Sequence, residues 1–228
     1  EKYLKQFSDE HLNEARDGLG ANNLGAIVMD VNSGEILAMA SYPNFNLNDP
    51  KNVSDYYTED QVKQMESDGT LQDAYNKLWK NFCISDTYEP GSTVKPFTVA
   101  AALDAGTITG NETYDCKGYL EIGGHQIHCH NRYGDGVLTV KQAVEKSCNV
   151  SLMYIANTLG ASEFCKYQHI YNFGLKTNID LAGEAKTDSL IYNAQTMGPT
   201  ELATNSFGQS FNATMIQMIT GFCSLING

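Results

Sequence analysis

Ser92 and Lys95 stand three residues apart in the stretch DTYEPGSTVKPF, directly after Pro90-Gly91. If a helix begins near Ser92, positions i and i+3 share one face, with Cβ atoms about 5–6 Å apart. The hydroxyl then sits among the unpaired N–H groups at the positive end of the helix, where an oxyanion would also be stabilised. A lysine drawn partly out of water holds its proton less firmly and becomes a base for that hydroxyl. The spacing suits a base-activated nucleophile. A surface lysine beside an N-capping serine would give the same four letters, so the pair alone decides nothing.

A second polar group follows 55 residues on, in EKSCNVSL, as Ser147-Cys148-Asn149. A Ser-x-Asn turn between two helices holds a hydroxyl and an amide side by side. Such a hydroxyl can relay protons between nucleophile and leaving group, and the amide can hold a substrate amide. A helix cap is the plainer reading of the same tripeptide.

The elements that must position these groups can be read coarsely. Residues 1–20 form a polar leading helix, and 25–42 a hairpin of two apolar, β-rich runs around Asn32-Ser33-Gly34. From Asn44 to Asn81 the chain is polar and dotted with aromatics, with SDYYTEDQVKQMESDG helical near its end. STVKPFTVAAALDAG reads as a helix from about Ser92, with Pro96 in its first turn and Asp-Ala-Gly at its end. Thr113–Arg132 suggests a small hairpin around EIGGHQIH. TVKQAVEKSCNVSLMYIANTLG gives two helices joined around Ser147–Asn149, ASEFCKYQHIYNFG a helix with a glycine stop, and NATMIQMITGFCSLING an amphipathic last helix. Residues 92–228 are thus mainly helical.

Composition bounds the partners. With 228 residues, 42% apolar and 18% charged, the chain has the make-up of a globular protein without a disorder signature. A net charge of −12 argues against nucleic acid as the main partner. No run approaches the ~18 apolar residues of a spanning helix, and no signal peptide is visible. The opening EKYLKQFSDEHLNEAR reads as mid-helix, the start of a piece of a longer protein, which leaves membrane anchoring open.

Together, S-x-x-K at Ser92–Lys95 and S-x-N at Ser147–Asn149 resemble two of the three motifs of penicillin-binding transpeptidases. GAIVMDVNSGEILAMASYPNFN, FCISDTYEPGSTVKPFT, LTVKQAVEKSCN, FGLKTNIDLAGEA and FGQSFNATMIQM extend the likeness along nearly the whole chain, to class B penicillin-binding proteins of the sporulation and division branch. The resemblance implies an α/β, β-lactamase/transpeptidase-like fold: an antiparallel sheet flanked by helices, plus an all-helical lobe carrying Ser147–Asn149. It implies a D,D-transpeptidase in which Ser92 attacks the penultimate D-Ala of a stem peptide ending in D-Ala-D-Ala. Lys95 would be its base, Ser147 the proton relay, and Asn149 the substrate and lysine positioner. β-Lactams would acylate the same serine. No cofactor is implied. The setting would be extracytoplasmic and membrane-anchored, beside a glycosyltransferase or divisome partner.

The third family motif, Lys-Thr-Gly, is not in the 228 residues: Lys176-Thr177-Asn178 and Lys186-Thr187-Asp188 both lack the glycine. The expectation is that residues 1–228 are the N-terminal two-thirds of a catalytic domain, weakly active or inactive alone, with the remainder supplied by another chain, a further tail or a strand borrowed from a neighbour. A β-lactamase or β-lactam sensor is the rival within the superfamily. The absence of a Glu-x-x-Leu-Asn segment argues against rapid hydrolysis. A non-catalytic divisome scaffold is the rival outside it.

CKGYLEIGGHQIHCHN gathers Cys116, His125, His128, Cys129 and His130. A metal would need three or four of these to converge; with His128 and His130 on one face of a strand and Cys129 on the other, a histidine-rich hairpin is preferred and no metal is assigned. Cys116, Cys129 and Cys148 are candidate redox cysteines. Cys116–Cys129 would staple the hairpin, and Cys129–Cys148 would tie it to the Ser-x-Asn turn, the latter encouraged by the sporulation-type resemblance. Free thiols are favoured over either bridge.

Overall fold

A computed structural model describes Tyr3 and residues 23–227. The expected leading helix therefore falls, but for Tyr3, outside the described residues. The chain divides into two compact units, one gathering the first hairpin, residues up to 86 and 180–185, the other 31–34, 87–179 and 186 onward.

In the first unit, β1 (Leu24–Met29) pairs antiparallel with β2 (Ile36–Tyr42), from Leu24 opposite Tyr42 to Met29 opposite Ile36, with a bulge at Val28/Met29. The Asp30 N–H closes the hairpin on the Glu35 carbonyl at 2.8 Å. α1 (Glu59–Asp68) is held by local chemistry: Thr58 and Gln61 form a reciprocal capping box and Gly69 takes the left-handed cap, while no residue of the helix is buried. α2 (Leu71–Leu78) buries Ala74 and Leu78, and the short α3 (Phe82–Ser85) packs on the hairpin through Cys83, whose thiol donates to the Ala40 carbonyl at 3.3 Å. Val28 and Leu37, beside the bulge, are exposed.

The second unit holds the site. A 3₁₀ turn (Gly91–Val94) leads into α4 (Lys95–Asp104). The outer ladder pairs β3 (Thr113–Cys116) with β6 (Gly136–Thr139) and encloses the hairpin β4 (Tyr119–Ile122)–β5 (His125–His128), which turns on Gly123-Gly124, both with positive φ. Helices α5 (Val140–Glu145), α6 (Asn149–Leu159), α7 (Ala161–Ile170), α8 (Pro199–Asn205) and α9 (Met215–Asn227) complete it. The lobe expected to be all-helical thus carries two short antiparallel ladders as well.

Two apolar clusters sandwich α4 and α6. Phe97 and Ala101 of α4 join Ala156 and Leu159 of α6 around Phe173 and Phe211; Val99 and Ala102 join Leu152, Met153 and Ile155 in the other cluster. Phe97 meets Tyr171 and Phe173 edge-on at 5.0 and 5.2 Å. Because both helices are buried on two faces, their first turns are fixed relative to one another. Those turns carry Lys95 and Asn149.

Candidate active site

Ser92 lies not on an α-helix but in the 3₁₀ turn that precedes it, and the α-helix starts at Lys95. Backbone from a distant segment clamps this turn. The Gly91 N–H donates to the Gly208 carbonyl at 2.9 Å, and Tyr88 and Ala213 exchange hydrogen bonds at 3.0 Å in both directions. Gly208 has φ +84°, and a Cβ there would lie 2.0 Å from the Gly91 carbonyl oxygen, so only glycine fits. The Glu89 carboxylate accepts from the Ser210 N–H at 2.7 Å. Ser92 itself is exposed at the tip of the turn.

Lys95 is only 2% exposed. Its Nζ donates to the Ser147 carbonyl at 2.5 Å, to Ser147 Oγ at 2.8 Å and to Asn149 Oδ1 at 2.8 Å. An ammonium has three protons, and all three are spent on the Ser147–Asn149 turn. Burial pushes the Lys95 pKa down to about 8, against a small opposing pull from Cys129 and Cys148. The structure therefore joins Lys95, Ser147 and Asn149 directly. Ser92 is one 3₁₀ turn away along the chain, where i and i+3 side chains eclipse, and among the described residues its hydroxyl is not one of the amine's acceptors.

The turn bearing Ser147 is a helix C-terminus with an unusual residue. Ser147 N–H donates to Val144 and Cys148 N–H to Ala143, the Schellman pattern that places a left-handed residue at Ser147. Glycine is the usual occupant, yet Ser147 holds φ +54°. A non-glycine residue there costs about 1–2 kcal/mol, and what is gained is a hydroxyl and a carbonyl both aimed at Lys95. Asn149 is anchored at its other end: Nδ2 donates to the His128 carbonyl at 3.2 Å, leaving one amide proton without an acceptor among the described residues.

The cysteines of the sequence converge here more than the histidines do. His125 and His130 are exposed; β5 ends at His128, and the strand alternation expected for His128–His130 stops with it. Cys116, Cys129 and Cys148 are all buried, and no disulfide joins them. The Sγ atoms of Cys129 and Cys148 are 3.9 Å apart. Cys148 caps α6, accepting from Ser151 N–H at 3.4 Å and Ser151 Oγ at 3.3 Å; burial pushes its thiol up to about 12. Burial also raises Cys129, but hydrogen bonds from the backbone of Asn149, Val150 and Asn131 and from the Cys116 thiol outweigh it and leave its pKa lowered. Thr187 of the Lys-Thr-Asp triplet is buried and accepts from Gln217 Nε2 at 2.6 Å. Sequence reasoning missed Glu89, Gly91, Gly208, the His128 carbonyl and Asp135. Only the glycines gave a signal, one before Ser92 and one in FGQSF.

The family model described as penicillin binding protein transpeptidase domain matches residues 24–228. Stage V sporulation protein D of Bacillus subtilis is 33% identical over 227 residues, 99% of this chain and 32% of that protein. Peptidoglycan D,D-transpeptidase FtsI of Escherichia coli is 32% identical over 222 residues, 97% of this chain and 33% of that protein. The chain thus spans about a third of the length of these relatives. Among solved structures, Pseudomonas aeruginosa PBP2 superposes with a TM-score of 0.76 at 26% identity, covering 100% of this chain and 50% of that one.

Proposed function

The chain belongs to the penicillin-binding protein transpeptidase family, and from that premise we propose that Ser92 is the acylated nucleophile of a peptidoglycan D,D-transpeptidase. The observation that carries the reading is the buried Lys95 amine, triply bonded to Ser147 and Asn149, one turn from an exposed serine. Loss of one proton leaves Nζ with two donors and a lone pair. Ser147 Oγ both donates and accepts, so it can turn its own proton toward Nζ and complete a relay. Lys95 takes the Ser92 proton as Oγ attacks the penultimate D-Ala carbonyl of a stem peptide. The tetrahedral intermediate collapses, the terminal D-Ala leaves with a proton passed through Ser147, and a neighbouring strand's amine later takes the acyl group from Ser92. Asn149, with one amide proton uncommitted, holds the substrate's peptide group while its oxygen keeps Lys95 in place.

The substrates are peptidoglycan stem peptides ending in D-Ala-D-Ala, and β-lactams open on the same hydroxyl. The setting is the extracytoplasmic face of the cell membrane, with a membrane glycosyltransferase as partner. No cofactor takes part in these steps. The test uses the whole gene product that carries this domain. With a D-Ala-D-Ala stem peptide and an acceptor amine, it releases D-Ala and forms the cross-linked peptide, and Ser92→Ala stops both. Release that persists in Ser92→Ala overturns the assignment. Turnover of a chromogenic cephalosporin without cross-linking would make the protein a β-lactamase instead.

A further inference from the structure

We propose that Cys116, Cys129, Cys148 and Asp135 form a structural zinc site whose fourth corner ties down the Ser147–Asn149 turn. The ligand atoms of these four residues all lie within 4.8 Å of one another. A tetrahedral zinc with Zn–S bonds of ≈ 2.3 Å sets its sulfurs about 3.8 Å apart. The Cys129–Cys148 separation of 3.9 Å matches that edge, whereas a disulfide would need about 2.05 Å. The other separations, at most 4.8 Å, need to close by no more than about 1 Å for a sulfur–sulfur edge and about 1.3 Å for a sulfur–oxygen edge.

The donor set is built rather than accidental. Cys116 ends β3, Cys129 follows β5, Asp135 precedes β6 and Cys148 caps α6, so four separate points of the fold are brought to one spot. Gly134, with φ +85°, lets the Asp135 loop lie against Cys116: a Cβ there would be 2.2 Å from the Cys116 carbonyl oxygen. Asn131 Nδ2 donates to Asp135 Oδ1 at 2.9 Å, fixing the carboxylate, while the buried Oδ2 has no hydrogen-bond partner among the described residues. A buried carboxylate oxygen without a donor is costly, and a cation would satisfy it. Ser151 N–H and Oγ point at the Cys148 sulfur, the outer hydrogen bonds that orient a ligating thiolate. Three buried soft sulfurs and the buried oxygen of a half-buried carboxylate fit zinc in a four-ligand structural site with no open position for chemistry. Binding expels the three thiol protons to solvent.

The consequence for the enzyme rests on the transpeptidase reading. Cys148 is flanked by the two residues that hold Lys95, so zinc pins the catalytic turn from behind. The test separates the two claims. The reduced whole protein is titrated anaerobically with Co²⁺. One equivalent gives thiolate-to-cobalt charge-transfer absorption and intense tetrahedral d–d bands, which Zn²⁺ then bleaches. Cys116→Ser and Asp135→Asn each weaken Zn²⁺ affinity at least about tenfold, and Asn131→Ala weakens it about 10–100-fold, with folding checked by circular dichroism. Ser92→Ala leaves the cobalt spectrum unchanged even though it abolishes acylation, so metal binding stands or falls independently of the catalytic reading. Absent bands, bands that survive in both Cys116→Ser and Asp135→Asn, or a Cys129–Cys148 cross-linked peptide with no metal uptake after reduction overturn the site.

Discussion

Two polar clusters share the Ser147–Asn149 turn, and they are satisfied in opposite ways. On one side Lys95 is buried, and each of its three protons has an acceptor in the protein. On the other, three buried thiols stand at metal-ligand spacing beside a carboxylate oxygen that no donor among the described residues reaches. Lys95 and the three thiols are all buried, so exposure does not explain the difference. A group that must give and take a proton needs its hydrogen bonds closed internally, so that the only exchange is with the reacting hydroxyl. A ligand site needs the reverse, donors pointed at a spot that the protein itself does not fill.

Breaking the closed cluster has the largest effect. Lys95→Met lowers the rate of penicillin acylation by about 10²–10⁴-fold, measured by stopped-flow with a fluorescent penicillin. Lys95→Arg does not rescue it, because guanidinium stays charged and its planar fork cannot reproduce three convergent bonds. Next comes Ser147→Gly, expected to slow acylation by roughly 10²-fold. Its stability stays within about 1 kcal/mol of the parent, since relief of about 1–2 kcal/mol of left-handed strain offsets a hydrogen bond worth about 1 kcal/mol. A thermal melt that drops sharply would show Ser147 to be structural first.

A smaller effect comes from pH. Burial lowers the Lys95 pKa to about 8, so the neutral base fraction, and with it the acylation rate, falls about tenfold per unit as pH drops below that value. Stability follows the same group with its own sign. Below about pH 8 the folded state carries a disfavoured buried ammonium; between 8 and the unfolded value of 10.5 the unfolded chain binds more protons, so this group's contribution to stability rises with pH. A rate profile flat between pH 6 and 9 would remove Lys95 as the base. The smallest effect sharpens the open cluster. In metal-free protein Cys148→Ser changes stability by less than about 1 kcal/mol, because a serine hydroxyl also caps α6. With zinc present the same change costs the whole metal-induced rise in melting temperature.

Much of this was legible in the sequence for local reasons. The Asn32-Ser33-Gly34 turn and Pro96 at the head of α4 are each set by neighbours within a few residues. The Ser92–Lys95 spacing and the Ser147–Asn149 turn were equally visible. The 3₁₀ turn was not, because it depends on Gly208, more than a hundred residues away, approaching Gly91. The helix Ala161–Ile170 ends before its expected glycine stop because Asn172, at φ +69°, takes the left-handed position first. Nor could sequence pair Asp135 with Cys116: only the β3–β6 register sets those two ends side by side. The histidines drew attention because they are adjacent in sequence, but β5 stops too soon for their alternation to matter.

The most direct test is where a β-lactam lands. After incubation of the whole gene product with benzylpenicillin, intact-mass analysis and peptide mapping should find one ring-opened adduct per molecule, on Ser92, and none in Ser92→Ala. An adduct on another residue, or none at all in folded protein, would contradict the account.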